Sequence, residues 1–249
     1  MVLFVADIHF GRDSYADERA KEQSLIACLE THADDLEHLY LVGDVFDEYI
    51  EYRHLVPKGF VRFQAHLARW ADAGLPITYL IGNHDPWHRS YFETELGVTV
   101  ATTVHPTHRG AQLHITHGDA ATSDGVADNW VRNTLRHPLP VGLYRTLLPG
   151  DIGMALARWV NRRFHHKATR EPVTRALRNH ARHLLRTTET DGVVLAHTHV
   201  PALHRWPEGV YLNTGSWHDS RSLGRLDATG FRLCQWNGSR TCTIEHASS

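Results

Sequence analysis

Short apolar runs alternate with segments of helical spacing along the first 85 residues. The runs at 2–5, 38–42 and 77–81 are nearly all apolar and too short for a core helix, so each predicts a buried strand. Between them, residues 17–32 and 58–73 place apolar side chains three or four positions apart, which predicts two helices. Strand, helix, strand, helix, strand is the order expected of a sheet covered by helices.

The pattern changes after residue 97. Residues 97–116 predict a hairpin that turns at Arg109-Gly110, and from about 120 to 190 the spacing is helical and interrupted by prolines. Strands return in the last part of the chain, at 193–196, 210–213, 231–235 and 241–245. We therefore expect one α/β domain spanning residues 1–249, with a helical cap inserted at about 120–190.

The predicted cap is the basic part of the chain. Residues 120–190 hold 12 Arg and Lys against 5 Asp and Glu, while the other residues hold 14 against 23 and the net charge is −2. The segment 152–164 carries one apolar stripe, formed by Ile152, Leu156, Trp159 and Val160. Two interpretations stay open: a helix face packed on the domain, or a surface for an anionic, apolar ligand or a membrane.

Composition excludes several classes of protein. With 42% hydrophobic and 22% charged residues, the chain is typical of a globular protein rather than a disordered one. No apolar run approaches the ~18 residues that cross a bilayer, and the N-terminal sequence lacks a secretory signal, so we expect a cytoplasmic protein. Nucleic acid is a disfavoured partner because the body is acidic and the pI is near 6.9. The pattern gives no indication of an oligomeric state.

Residues of the metal-ligating types follow five of the predicted strands. In chain order they are Asp7 and His9, Asp44, Asn83, His117, and His197 and His199. Because the carboxyl ends of strands in an open α/β sheet share one edge, we expect these side chains to converge. Carboxylate, amide and imidazole ligands without a thiolate suit Mn²⁺, Fe or Zn²⁺. Seven ligands are enough for two metals if one carboxylate bridges them, and such a pair is typical of displacement at phosphorus.

Each motif is weak alone, since Gly-Asp after a strand is usually a turn and His-x-His is common in a chain with 21 histidines. As an ordered set, the motifs resemble the signature of the calcineurin-like metallophosphoesterases. The five blocks are Asp7-x-His9, Gly43-Asp44, Gly82-Asn83-His84-Asp85, His117-Gly118-Asp119 and Ala196-His197-Thr198-His199. The resemblance implies a four-layer α/β/β/α sandwich that carries the helical cap as an insertion.

The resemblance also implies a role for each residue. One metal would be held by Asp7, His9 and His199. The second would be held by Asn83, His117 and His197, with Asp44 bridging the two. His84 would bind no metal; it would act as the catalytic residue that assists the leaving oxygen, its ring held by Asp47 or Asp85. We expect two divalent ions, Mn²⁺ first, with Fe or Zn²⁺ as alternatives.

One branch of this superfamily is similar in layout. The UDP-2,3-diacylglucosamine hydrolases of lipid A biosynthesis have about this length and follow His-Gly-Asp with a basic, apolar helical cap, as residues 124–187 do here. This likeness implies a nucleotide-lipid substrate whose pyrophosphate is cleaved, and peripheral contact with the inner membrane. The residues expected to bind substrate are Asn83, His84, Asp124, Arg158, Arg162, Lys167 and His197.

Two alternatives remain. The best-known members of that branch carry arginine where this chain has His84, so a phosphodiesterase or phosphatase acting on a soluble nucleotide or another phosphoester is the second candidate. A non-catalytic binding module on the same fold is the third. That third hypothesis predicts missing ligands, whereas all seven ligand positions are filled here.

Overall fold

The computed structural model describes residues 1–122, 137–164 and 170–244. Its strands are β1 (Val2–Val5), β2 (His38–Val42), β3 (Ile77–Leu80), β4 (Thr99–Ala101), β5 (Thr103–Val104), β6 (Thr107–His108), β7 (Ala111–Thr116), β8 (Gly192–Leu195), β9 (Ala202–Trp206), β10 (Gly209–Asn213), β11 (Ser222–Asp227), β12 (Gly230–Trp236) and β13 (Thr241–Thr243). Its α-helices are α1 (Tyr15–Glu30), α2 (Val61–Asp72), α3 (Tyr91–Thr94), α4 (Pro138–Leu147), α5 (Gly150–Phe164), α6 (Arg170–Thr187) and α7 (Trp217–Ser220). Two short 3-10 helices span Ala33–Asp35 and Asp119–Thr122.

The strands form two sheets. The first has the order β13-β12-β11-β1-β2-β3-β4, and the second has the order β5-β7-β8-β10-β9, with β6 paired to β7. In the first sheet β1, β2, β3 and β4 run parallel, and β11 pairs antiparallel with β1. In the second sheet β8 pairs in parallel with both β7 and β10. The carboxyl ends of these parallel strands therefore collect at one end of each sheet.

The period-two alternation of the strands divides their side chains between two cores. Leu3 and Val5 of β1 face α1 and α2, where they join a cluster that includes Leu25 and Phe63. Val2 and Phe4 face the other way, into a cluster between the two sheets. Both faces of β1 are buried, which explains why its sequence is apolar throughout.

A third core lies outside the second sheet. Leu177, Ala181 and Leu185 of α6 are four residues apart and pack on side chains of β8 and β10. The layers are thus helices, first sheet, second sheet and helix, which confirms the four-layer α/β/β/α sandwich predicted from the resemblance. Although α6 falls within the predicted cap range, it forms the outer layer of the sandwich.

The helices α4 and α5, called the cap helices below, are anchored on loops of the first sheet. The hydroxyl of Tyr144 donates to the carbonyl oxygen of Gly153 at 2.7 Å, which joins the two helices. Nη2 of Arg145 donates to the carbonyl oxygen of Trp87 at 2.7 Å, and the Trp87 ring contacts the Tyr144 ring at a centroid distance of 4.7 Å. This contact attaches the cap helices to the loop that follows β3.

The helix and strand predictions for the first 85 residues are confirmed to within about three residues, the usual uncertainty of element ends. The predicted hairpin is divided between the sheets. Arg109-Gly110 does turn β6 into β7, but β4 joins the first sheet beside β3. The short elements α3, α7, β9 and β11 were not predicted.

Candidate metal centre

The seven predicted metal ligands lie together at the carboxyl ends of five strands. Asp7, His9, Asp44 and Asn83 follow β1, β2 and β3 of the first sheet, whereas His117, His197 and His199 follow β7 and β8 of the second. From the sequence we expected the edge of a single sheet, and this detail was wrong. The side chains converge because the two sheets face each other and their parallel strands end on the same side.

The first group consists of Asp7, His9 and His199. Nε2 of His9 lies 3.1 Å from Nε2 of His199, and Oδ1 of Asp7 lies 3.4 Å from the same His199 atom. The opposite ring nitrogens are held by carboxylates, with His9 Nδ1 at 3.1 Å from Asp47 and His199 Nδ1 at 2.8 Å from Asp219. When each Nδ1 donates its proton to a carboxylate, both Nε2 lone pairs point at one place, as metal-ligating histidines do.

The second group is built around His117. Its Nδ1 donates to the carbonyl oxygen of Val42 at 2.9 Å, which turns Nε2 towards Oδ2 of Asp44 at 3.3 Å and Oδ1 of Asn83 at 3.2 Å. Ligand atoms of Asp44, His117 and His197 all lie within 4.8 Å of one another. Oδ2 of Asp44 is also 4.0 Å from Nε2 of His9 in the first group. Asp44 therefore stands between the two groups.

The electrostatics of both groups favour cations. Burial opposes ionisation of Asp44, but the neighbouring His117 and His84 outweigh it, so the pKa of Asp44 lies well below its usual range. The pKa of Asp7 is also lowered, because His199 and His117 outweigh the effect of burial. Burial lowers the pKa of His199, yet Asp7 and Asp219 together raise it to about 9. Two buried carboxylates thus stay ionised and require positive charge beside them.

The donor set fits a pair of divalent ions. Oδ1 of Asp7 is buried and, within the part of the chain that the structure describes, accepts no hydrogen bond. Around it, imidazole nitrogens lie close to other acceptor atoms. At these distances two lone pairs repel each other unless a proton or a cation lies between them. Bound cations would give the buried oxygen a partner and would accept the lone pairs of the facing nitrogens.

The backbone at the ligands is strained. Asp7, His9 and Asp44 have φ near +50°, and His197 and His199 have φ of 69° and 60°. These are five of the eight non-glycine residues with positive φ among the described residues, and each costs about 1–3 kcal/mol. Cross-loop hydrogen bonds hold the conformations, such as the one that His9 N donates to Asp44 O at 3.0 Å. The strain is concentrated where the site is assembled.

Two glycines allow the ligand loops to approach closely. Gly43 has φ of +82°, and a Cβ there would lie 2.5 Å from Nδ1 of His117. A Cβ on Gly82 would overlap the carboxylate of Asp44. The Gly-Asp and Gly-Asn pairs are therefore more than ordinary turns, because side chains at these positions would displace metal-ligating groups.

His84 lies beside the first group. Its backbone N–H donates to Oδ1 of Asp44 at 2.8 Å, and its ring meets the His9 ring edge-on at a centroid distance of 4.8 Å. The ring is held through Nδ1, which lies 3.0 Å from the backbone carbonyl oxygen of Asp47. The Asp47 carboxylate is farther away, at 3.7 Å. Of the two residues expected to hold the His84 ring, Asp47 does so mainly through its backbone carbonyl oxygen.

Asp85, the other expected holder of His84, has a different task. It is buried and accepts hydrogen bonds from the backbone N–H groups of Val45 at 2.7 Å and Gly82 at 2.8 Å, and from the hydroxyl of Tyr79. It thereby ties the loop of Asp44 to the loop of Asn83. The expectation that Asp85 holds the His84 ring was wrong, because its oxygens are used by these backbone donors.

Three residues near the site were not predicted. Asp219 follows the N-cap Ser216 of the short helix α7, and its carboxylate holds His199. Lys21 is nearly buried, and its Nζ donates to the carbonyl oxygens of Ile8 at 3.2 Å and His9 at 2.9 Å. His218 lies next to Lys21, with Nδ1 at 3.3 Å from Nζ. Lys21 carried a usable signal, since it is one of only three lysines in an arginine-rich chain.

The predicted substrate residues fall in three places. Asn83, His84 and His197 lie in the centre itself. Arg158 of α5 pairs with the loop after Asp44, where its Nε is 3.2 Å from the carboxylate of Glu48. Asp124 and Lys167 lie outside the described residues, and so does the side chain of Arg162, although its backbone is part of α5.

Comparison with known proteins agrees with this geometry. Residues 1–201 match the family model of the calcineurin-like phosphoesterases. The chain belongs to this family. It is a metal-dependent phosphoester hydrolase, which confirms the resemblance. The family implies divalent metal ions, for which the clustered Asp and His residues are suited.

The chain is similar to several proteins within this family. The UDP-2,3-diacylglucosamine hydrolase of Porphyromonas gingivalis is 37% identical over 159 residues, which is 62% of this chain but only 60% of that protein. The protein of the same name from Edwardsiella ictaluri is 27% identical over 94% of this chain and 91% of its own length. Among solved structures, the phosphoesterase Yfce of E. coli shares the fold, with a TM-score of 0.50, 17% identity, and coverage of 98% and 97%.

Among the described helices, none combines the length and the apolar character that a membrane span requires.

Proposed function

We propose that the chain hydrolyses the pyrophosphate of UDP-2,3-diacylglucosamine, which yields UMP and 2,3-diacylglucosamine 1-phosphate. Relatives named for this activity match up to 94% of the chain. The observation that carries the proposal is an exposed apolar surface on the cap helices, which are attached to the loops that carry metal ligands.

This surface consists of two rows of side chains. On α4 the row is Leu139, Leu143 and Leu147, and on α5 it is Ile152, Leu156 and Trp159. All six are 39% to 75% exposed, although each would gain about 1.5–3 kcal/mol from full burial. Spacings of three and four put each row on one helix face. Contiguous exposed apolar patches mark ligand or membrane contacts, which fits acyl chains.

Both cap helices are attached to loops that carry metal ligands. Arg158 of α5 pairs with Glu48, four residues after Asp44. Arg145 of α4 donates to the carbonyl of Trp87, four residues after Asn83. A substrate with an apolar tail on these helices would place its phosphates towards the metals. Arg158, Arg162 and Lys167, with Asp124, are the proposed polar contacts of the cap.

We assign one metal to Asp7, His9 and His199 and the other to Asn83, His117 and His197, with Asp44 shared between them. Mn²⁺ is the proposed ion, because the set combines carboxylate and amide oxygens with imidazoles and contains no thiolate. When bound, the two cations supply Lewis acidity for the attack of water on phosphorus. Asp47 and Asp219 keep His9 and His199 turned towards them.

His84 is the proposed catalytic residue. Its Nδ1 is engaged by the carbonyl of Asp47, so we assign Nε2 to the leaving oxygen, to which it gives a proton or a hydrogen bond. A ligand atom of His84 also lies within 4.8 Å of those of His9 and Asp44. The metal content of a His84 variant therefore decides between a catalytic residue and a metal ligand.

The test compares two substrates in three proteins. UDP-2,3-diacylglucosamine and a small aryl phosphodiester are given to the wild type, to Leu143→Gln/Leu156→Gln and to the control Val61→Gln, whose side chain is 68% exposed on α2. We expect the double variant to lose activity on the lipid by raising its KM, while all three cleave the aryl ester equally. Activity on the aryl ester without any on the lipid would favour the soluble-nucleotide alternative.

We further propose that residues 1–249 act as one cytoplasmic domain whose cap helices also contact the inner membrane. The exposed apolar rows of the two cap helices and the excess of Arg and Lys over Asp and Glu in residues 120–190 support this contact. Sedimentation with vesicles that contain anionic lipid checks this, with Val61→Gln as the control. Equal binding by the wild type and Leu143→Gln/Leu156→Gln would contradict it.

A further inference from the structure

Lys21 of α1 directs an ammonium group at the loop that follows β1. Its side chain is only 9% exposed, so the charge has to be matched by acceptors inside the fold. Nζ lies 2.9 Å from Oε1 of Glu18 and 3.3 Å from Oδ2 of Asp13. Glu18 is one helical turn before Lys21, and such a pair is ordinary within a helix. The contacts of Lys21 with backbone carbonyl oxygens need another explanation.

The ammonium group of Lys21 binds the two peptide groups on either side of the His9 Cα atom. Nζ donates to the carbonyl oxygen of Ile8 at 3.2 Å and to that of His9 at 2.9 Å. His9 has φ of 49°, a left-handed conformation that is strained in a non-glycine residue. Because the two carbonyl oxygens mark the orientation of both peptide planes, a single donor group that binds both of them fixes the direction in which the His9 side chain leaves the backbone.

Lys21 also contacts the helix that orients another metal ligand. Nδ1 of His218, in α7, lies 3.3 Å from Nζ of Lys21. The backbone N–H of His218 donates to the carbonyl oxygen of Asp7 at 3.1 Å. The next residue, Asp219, holds Nδ1 of His199 at 2.8 Å. Lys21 therefore lies where the loop after β1 meets α7, and both of these segments set the geometry of the first group of metal ligands.

We propose that Lys21 is a positioning residue of the metal centre, which holds the first group in the geometry that binds a metal ion. The proposal rests on the assignment of one metal to this group under the proposed function. Lys21 acts through its hydrogen bonds and against its own charge, because a cation beside the centre repels a metal ion. The two effects have opposite signs. Loss of the hydrogen bonds weakens metal binding, whereas loss of the charge alone would strengthen it.

Chelator competition with Mn²⁺ tests the proposal by measuring both metal affinities in the wild type, Lys21→Met and the control Lys58→Met. Methionine has a similar length without a charge or a donor, and Lys58 is an exposed lysine in the connection between β2 and α2. We expect Lys21→Met to bind one ion about 10–100-fold more weakly, since loss of a group that orients a metal ligand costs this much. The affinity for the other ion, and both affinities of Lys58→Met, should match the wild type.

A second variant keeps the test valid if Lys21→Met does not fold. Glu18 is buried, so removal of Lys21 alone leaves its carboxylate without the cation that it pairs with. Glu18→Gln/Lys21→Met removes both charges and keeps an acceptor oxygen at position 18. We expect the same loss of metal affinity in this double variant.

Two further readouts separate positioning of the metal centre from a role in stability alone. Saturating Mn²⁺ should restore hydrolysis of an aryl phosphodiester by Lys21→Met, with the KM for the ester unchanged. A residue that only stabilises the fold would lower the free energy of unfolding of the metal-free protein and leave both metal affinities as they are. Lys21→Arg keeps a charged donor and should recover part of the affinity that Lys21→Met loses.

Unchanged or tighter binding of both ions by Lys21→Met, or equal weakening of both, would overturn the proposal, as would a Lys21→Arg variant that recovers nothing. A wild type that binds no pair of ions would overturn the metal assignment and this proposal with it. Because the measurements use Mn²⁺ and an aryl ester, they do not depend on whether the enzyme hydrolyses a lipid.

Discussion

The carboxylate of Asp219 offers a sharp test of how the metal centre is held. It accepts a hydrogen bond from Nδ1 of His199 at 2.8 Å and so directs Nε2 towards Asp7 and His9. Asp219→Ala removes this partner and lets the His199 ring rotate, whereas Asp219→Asn keeps an acceptor but loses the charge. Asp219→Ala is therefore the stronger perturbation of the two.

The expected magnitude follows from the role of such partners. Loss of a carboxylate behind a metal-ligating histidine costs about 10–100-fold in metal affinity, equivalent to about 1.4–2.7 kcal/mol. We expect Asp219→Ala to fall in this range. Asp219→Asn should fall between it and the wild type, because a hydrogen bond to a charged acceptor is roughly twice as strong as a neutral one.

Competition with a chelator measures the affinity of the two metals in each variant, and hydrolysis of an aryl phosphodiester at saturating metal measures what remains of the activity. The control is Asp34→Asn, which changes an exposed carboxylate in the 3-10 helix after α1. Wild-type metal affinity in Asp219→Ala, together with unchanged hydrolysis, would show that Asp219 does not position His199.

Three other substitutions test the rest of the centre. Asp44→Asn should lower metal content and activity together, because its charge faces both groups; metal analysis that finds both ions retained would remove it from the shared position. His84→Gln should keep both metals and reduce turnover by about 10²–10⁴, and loss of a metal would identify His84 as a ligand instead. Gly82→Ala should lower the free energy of unfolding by about 1–3 kcal/mol, as measured by denaturant titration, because the added Cβ would displace Asp44. An unfolding free energy equal to that of the wild type would refute the close approach of Gly82 to Asp44.

Strands β1, β2 and β3 were predictable because both of their faces are buried. β1, β2 and β3 carry few polar residues, with His38 and Thr78 as the exceptions, so they stand out as apolar runs. In β11, by contrast, Gly224 resembles a turn residue, yet it is a strand glycine that leaves room for Leu212 and Phe4 between the sheets. The edge strand β9 is half-buried and mixed in polarity, so local periodicity did not reveal it.

The residue types at the strand ends were also visible without a structure, and the seven ligand candidates do come together. The orientation of these side chains could not be predicted from the sequence. The positive φ values of Asp7 and Asp44 depend on hydrogen bonds to other loops. The strain energy of these backbone conformations is offset only when those hydrogen bonds form in the folded protein.

Hydrophobic periodicity and residue chemistry are local properties, so they were sufficient to predict which strands are buried and which metal-ligating residues follow them. Tertiary structure alone decided that two sheets contribute the ligands and that Asp219 turns His199. It also decided that Lys21 reaches the carbonyl oxygens of Ile8 and His9, and that α6 belongs to the sandwich while the apolar rows of α4 and α5 stay exposed. These facts depend on distances between residues far apart in the chain, and only the packed layers bring such residues together.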